Sequence, residues 1–137
     1  MFEKQPAHFA PNLDRRLLLE TYNYQKFIQL LPSTWAVGTQ RCIYLGHIGR
    51  FIFGVEEETR YTALIRIQQH YPKPEPWLSR HVMWVRIYHD ARLAEVVGFG
   101  GYDLTEAHTL PDPTQAFLEQ EKLDELLRDW LELSLRF

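Results

Sequence analysis

The sequence predicts an α+β domain: an about five-stranded antiparallel sheet with N- and C-terminal helices packed on one face. Three observations point there. A helical period occupies residues 13–31, an alternating period rich in β-branched and aromatic residues fills roughly 41–97, and a second helical period closes the chain after Pro113. The connections between strands read as hairpins, which makes the sheet antiparallel.

In the first helix Leu17, Tyr24, Phe27, Ile28 and Leu31 recur at three-and-four spacing and form an apolar stripe. Asn12 is placed to cap it, Asp14 sits where a carboxylate favours the positive end of the helix dipole, and Pro32 cannot extend the hydrogen-bond ladder. Five strands follow at about 41–47, 50–56, 60–69, 80–89 and 92–98. Three prolines at alternate positions in 71–76 force an extended link between the third and fourth. If Asp90 and Ala91 make a two-residue turn, Ile87 faces Ala94, Val85 faces Val96, Arg86 faces Glu95 and Tyr88 faces Leu93, and every apolar pair shares one side. For the earlier hairpin, Phe51, Phe53 and Val55 oppose Ile65, Ala63 and Tyr61 only if the loop through Glu57, Glu58 and Thr59 has an odd number of residues. A two-residue turn there turns one strand inside out.

The last helix opens on Asp112-Pro113-Thr114-Gln115: a capping aspartate, a proline where its missing N–H costs nothing, and a glutamine at the third position. Leu123, Leu126, Leu127, Trp130 and Leu131 form its stripe. Residues 112–137 carry a balance of −4 against +1 for the rest, which assigns the acidity to the outer face of this helix.

The 137 residues fit one domain, 1–137, with 1–11 a loosely held arm. At 45% hydrophobic and 24% charged, the composition builds a closed core and excludes disorder or a collagen-like chain. One cysteine, Cys42, forms no internal disulfide, and mid-strand it reads as a small core residue. The six histidines lack metal-ligand spacing, so no metal and no cofactor are expected. With no apolar run near the ~18–20 residues of a membrane span and no signal-peptide pattern, the expected setting is cytoplasmic, without membrane.

Several strings carry a family resemblance. Asn23-Tyr24 with Leu30-Leu31-Pro32, Glu57-Glu58-Thr59-Arg60-Tyr61-Thr62, Val85-Arg86-Ile87-Tyr88-His89-Asp90-Ala91 with Ala94-Glu95-Val96, and Phe117-Leu118 with Trp130-Leu131 resemble the YqiB-like family of uncharacterised bacterial proteins. The Arg-Ile-Tyr-His-Asp-Ala string is the most specific part. The resemblance implies a bacterial, cytoplasmic setting and one compact domain; the family has no assigned activity, ligand or catalytic residues to carry over.

Function is read from the strand alternation. If Met83, Val85 and Ile87 face the helices, then Trp84, Arg86 and Tyr88 face away, joined by Thr62, Leu64 and Arg66 of the neighbouring strand. Aromatic bodies and guanidinium groups on an open face fit a protein partner, self-association or a small anionic ligand. The plainer account is that these long side chains cover the sheet, with Arg86 held by Glu95. This makes a non-catalytic binding or regulatory module, with Arg66, Trp84, Arg86, Tyr88 and Glu95 as its binding residues, the leading reading. The alternative is a small enzyme using His89 and Asp90 as acid and base, although aspartate in a turn more often bonds backbone amides.

Two further features point elsewhere. Residues 98–102, Gly-Phe-Gly-Gly-Tyr, imitate a phosphate loop but lack the following helix, and Glu56 to Glu58 form an acidic hairpin tip within reach of Arg60. The sheet region 41–92 carries a surplus of +3, yet the net charge of −3 and a pI near 6.1 argue against nucleic acid.

Overall fold

The computed structural model describes residues 13–31, 35–70, 81–100, 102–103 and 113–136, and in them every strand pairs with its neighbour in sequence. Helix α1 (Leu13–Leu30) precedes β1 (Gln40–Tyr44), β2 (Arg50–Glu58), β3 (Thr62–His70), β4 (His81–Tyr88), β5 (Leu93–Phe99), the two-residue β6 (Tyr102–Asp103) and helix α2 (Pro113–Arg136). The five expected strands form an antiparallel meander, and β6 adds a short sixth. Both helices pack on one face. Asn12, Pro32, the link 71–76 and Asp112 lie outside the described residues, as do the arm 1–11 and the side chains of 113–118.

Alternation does the work of building the core. In β3 as far as Ile67 and throughout β5 every second residue is buried, and the inward set Phe51, Phe53, Ile65, Ile67, Met83, Val85, Ile87, Ala94 and Val96 is fully closed off from solvent. Phe27, Leu127 and Leu131 meet it from the helices, with Phe27 edge-on to Phe53 at 6.2 Å between ring centres. Burying such side chains stabilises by roughly 1.5–3 kcal/mol each before the entropy of ordering them. On β1 the inward positions are 41, 43 and 45. Cys42, opposite Ile52, is therefore exposed on the open face and not in the core, and inward Arg41 reaches the carbonyl of Leu30 at the negative end of α1.

The β4–β5 register is the expected one, Val85 with Val96, Arg86 with Glu95, Ile87 with Ala94 and Tyr88 with Leu93. The turn spans 89–92, where Arg92 takes the left-handed φ of 58°. The β2–β3 register differs from expectation. Phe51 opposes Gln69, Phe53 opposes Ile67 and Val55 opposes Ile65, a shift of four positions. The turn is a two-residue Arg60-Tyr61 reversal, with the Thr59 N–H donating to the Thr62 carbonyl at 2.8 Å and the Thr59 hydroxyl oxygen accepting from the Thr62 N–H. A bulge at Glu56, between the Val55–Ile65 and Glu57–Leu64 pairs, restores the parity that such a turn removes. Gly98 pairs with Asp103 and Phe99 with Tyr102 around a reversal that Gly100 enters at φ 61°, while Gly101 lies outside the described residues.

The α1 stripe is borne out in part. Phe27 and Leu31 are buried and Tyr24 packs against the core, but Leu17 and Ile28 are about half exposed, and Glu20, Asn23 and Leu30 join the buried face. The α2 stripe is as expected for Leu127, Trp130 and Leu131, with Leu123 and Leu126 packed beside them, but Asp124 and Ser134 are buried in the same face. The two helices run in the same direction, since Arg15 meets Glu121 and Glu125 and, two turns later, Tyr22 meets Glu132. The acidity of α2 is therefore only partly outward. Among the described residues, no helix is long and apolar enough to cross a membrane.

Candidate functional site

The face of the sheet opposite the helices is organised in rows set by register. One row is Gly54, Arg66 and Trp84; the next is Glu57, Leu64, Arg86 and Glu95; a third is Thr62, Tyr88 and Leu93. The structure thus brings together all five sequence-predicted binding residues. Each is half-buried, while their neighbours Met83, Val85 and Ile87 are fully buried on the other side.

The ion pairs on this face differ from the expected ones. Arg66 pairs with Glu56 at 3.2 Å and lies 6.0 Å from the centre of the Trp84 ring, a cation over an aromatic face. Arg86 stands beside Glu95 in register but donates to Glu57 at 3.3 Å. Glu95 has two other partners. It accepts from the Tyr88 hydroxyl at 3.2 Å and from Arg16 of α1 at 2.6 Å. The reason is the position of β5 near the sheet edge, where α1 passes close enough for a long arginine to reach round the strand. Of the acidic tip, Glu56 and Glu57 hold Arg66 and Arg86, and Arg60 instead lies over its neighbour Tyr61 at 5.3 Å. Both arginines keep 29% of their side-chain surface open to solvent, where such pairs contribute about 0–1 kcal/mol each. Burial raises the Tyr88 phenol above its ordinary value, and the charge and hydrogen bond of Glu95 add to it.

His89 and Asp90 stand in the turn but point to different partners. Asp90 Oδ1 accepts from the Ala91 N–H at 3.0 Å, and His89 Nδ1 lies 3.3 Å from the Tyr24 hydroxyl with the Trp35 ring edge-on at 5.2 Å. An aspartate capping its own turn does not orient the imidazole. Among the described residues no three His, Cys, Asp or Glu side chains gather as metal ligands; His8 and His108 lie outside them.

Sequence reasoning missed a second group of residues, the polar cluster behind the β5 edge. Among the described residues, β6 pairs with Gly98 and Phe99 and no strand covers the outward backbone groups of Val96. Asp124 Oδ1 accepts from the Val96 N–H at 3.2 Å, and Gln120 Nε2 donates to the Val96 carbonyl at 2.8 Å. Two side chains of α2 therefore do what another strand would do. Asn23 donates to the Asp124 backbone carbonyl at 3.0 Å, and Arg16 holds Glu20 at 2.9 Å. Asp124 is fully buried and Glu20 nearly so. Burial first, then the hydrogen bond and charge of Glu20, push the Asp124 carboxyl up to about 8, against smaller opposing effects of the Val96 N–H and Arg16. For Arg16 itself burial works against the charge, yet Glu20, Glu95 and Asp124 together raise its value. The available signal was spacing: positions 16, 20, 23, 27 and 30 lie on one helical face, and so do 120, 124, 127 and 131.

No solved structure matches the chain. It is 29% identical over 129 residues to the "Uncharacterized protein YqiB" of Escherichia coli strain K12, covering 93% of this chain and 91% of that protein. The proteins of the same name in Escherichia coli O157:H7 and in O6:H1 strain CFT073 match to the same extent. Residues 26–137, which take in the whole sheet, α2 and the last turn of α1, match the family model described as "Protein of unknown function (DUF1249)", and to that bacterial family the chain belongs.

Proposed function

We propose that this chain is a non-catalytic binding module that docks a protein on the open face of its sheet, and that a second copy is the partner this face fits first. One observation carries the reading: Trp84, Tyr88, Arg66 and Arg86 stand side by side, half exposed, on a surface that also holds Glu56, Glu57 and Glu95. Tryptophan, tyrosine and arginine are the residues enriched where proteins meet. A patch with both charge signs in adjacent rows is complementary to a copy of itself, which is what a two-fold contact requires. A small anion fits less well, because Glu56 and Glu57 already neutralise the two central arginines. The acid–base alternative at His89 and Asp90 draws no support from their separate hydrogen bonds.

The module works as one domain in the bacterial cytoplasm, a setting in which the exposed, unpaired Cys42 stays reduced. Light scattering over a concentration series tests the proposal. The wild type shifts toward the dimer mass as concentration rises, and the double variant Arg86→Ala with Tyr88→Ala weakens that association by tenfold or more. A wild type that scatters as a monomer throughout, or a double variant that associates equally well, overturns it.

A further inference from the structure

The cluster behind the β5 edge contains a contradiction in hydrogen bonding that one proton resolves. Asp124 Oδ1 is satisfied by Val96 and Gln120, but Oδ2, wholly buried, has no donor. Beside it stands Glu20, a second, nearly buried carboxyl that also accepts when ionised. Two ionised carboxylates placed together in a buried site repel each other, and Arg16, the cation that acts on the pair among the described residues, is already divided between Glu20 and Glu95. The charged groups facing Asp124 are thus Glu20 and Arg16 from α1, with Glu95 of β5 held through Arg16; α2 itself supplies neutral Gln120.

We infer that a proton held by Asp124 and donated to Glu20 is the latch that fastens α1 and α2 to the edge of β5, and that withdrawing it releases the helices from this strand. When the proton leaves, Asp124 becomes a second anion beside Glu20, and the buried site is relieved by parting the helices so that water reaches both. The Val96 N–H then loses its acceptor. The release also reaches the other face of the sheet, because Arg16 joins Glu20 to Glu95 and Glu95 accepts from Tyr88. The latch itself stands on the packing of α1, α2 and β5 and is independent of what docks on the open face.

Amide hydrogen exchange of the full chain, read at Val96 relative to Ile65 in the middle of the sheet, tests the latch. Between about pH 6.5 and about pH 9 the wild-type protection at Val96 falls at least tenfold more than that at Ile65. In Asp124→Asn the side-chain amide keeps an acceptor for Val96 and a permanent donor for Glu20, so the ratio stays constant. Glu20→Gln supplies a donor to the Asp124 carboxylate and likewise abolishes the fall, which keeps the test decisive if Asp124→Asn does not fold. Infrared spectroscopy shows a protonated carboxyl band in the wild type at the lower pH that is gone at the higher. A constant Val96 ratio in the wild type, a fall that persists in the folded variants, or a missing band at the lower pH overturns the inference.

Discussion

Single residues decide more here than their chemistry in isolation suggests. Asp124 is an acid in the apolar stripe of α2, and its place is fixed by one backbone amide on the stretch of the β5 edge where, among the described residues, no strand pairs. The folded chain holds its proton up to about pH 8, whereas an ordinary aspartate lets it go near 3.8. A group whose folded value is raised contributes stability that is present at acid pH and is lost as pH rises through that window. The difference in unfolding free energy between wild type and Asp124→Asn should therefore move against the wild type from about pH 5 to about pH 8, read by denaturant titration at each pH. A difference that is flat, or that moves in favour of the wild type, contradicts this. Residues like Asp124 are illegible from composition, since a lone acid on a charged helix reads as solvated. Cys42 fails for a related reason: its apolar character suggests core, but strand parity, set by Ile43 and Leu45, places it outside.

At the scale of elements, the β4–β5 hairpin was legible because its apolar partners allow one parity only. The β2–β3 hairpin was not. Its turn and its hydrophobic pattern demand opposite parities, and the bulge at Glu56 reconciles them without leaving a mark in composition. Deleting Glu56 should therefore force the Phe51, Phe53 and Val55 series onto the open face or break the turn, at a cost of at least about 5 kcal/mol, comparable with the whole stability of a small domain. Thermal unfolding followed by circular dichroism checks this: the deletion variant loses its cooperative transition, and retention of the wild-type midpoint would contradict the role given to the bulge. In α1 the stripe was misjudged in part, for the opposite reason. Leu17 and Ile28 are apolar and drew the face toward themselves, whereas the helix turns Glu20 and Asn23 inward because α2 and the β5 edge present backbone groups that only polar side chains satisfy.

The whole molecule is a sheet with two unlike faces, one closed by helices and one left to long amphipathic side chains. That division was legible from alternation alone, and with it the membership of the open face: Arg66, Trp84, Arg86, Tyr88 and Glu95 all lie where period two puts them. Their partners were not legible, because the choice of Glu57 over Glu95 by Arg86 depends on the β2 bulge and on Arg16 arriving from another layer. The helix pair also shields the β5 edge, so the open face is where this architecture leaves aromatic and charged groups available together. Oxidative footprinting read by mass spectrometry at Trp84, against Trp35 and Trp130 as buried internal references, is the most direct probe of that claim. The account predicts Trp84 readily oxidised in dilute protein and progressively protected as concentration rises, with Trp35 and Trp130 unchanged. A Trp84 as protected as Trp130 when dilute, or equally reactive at every concentration, would contradict it.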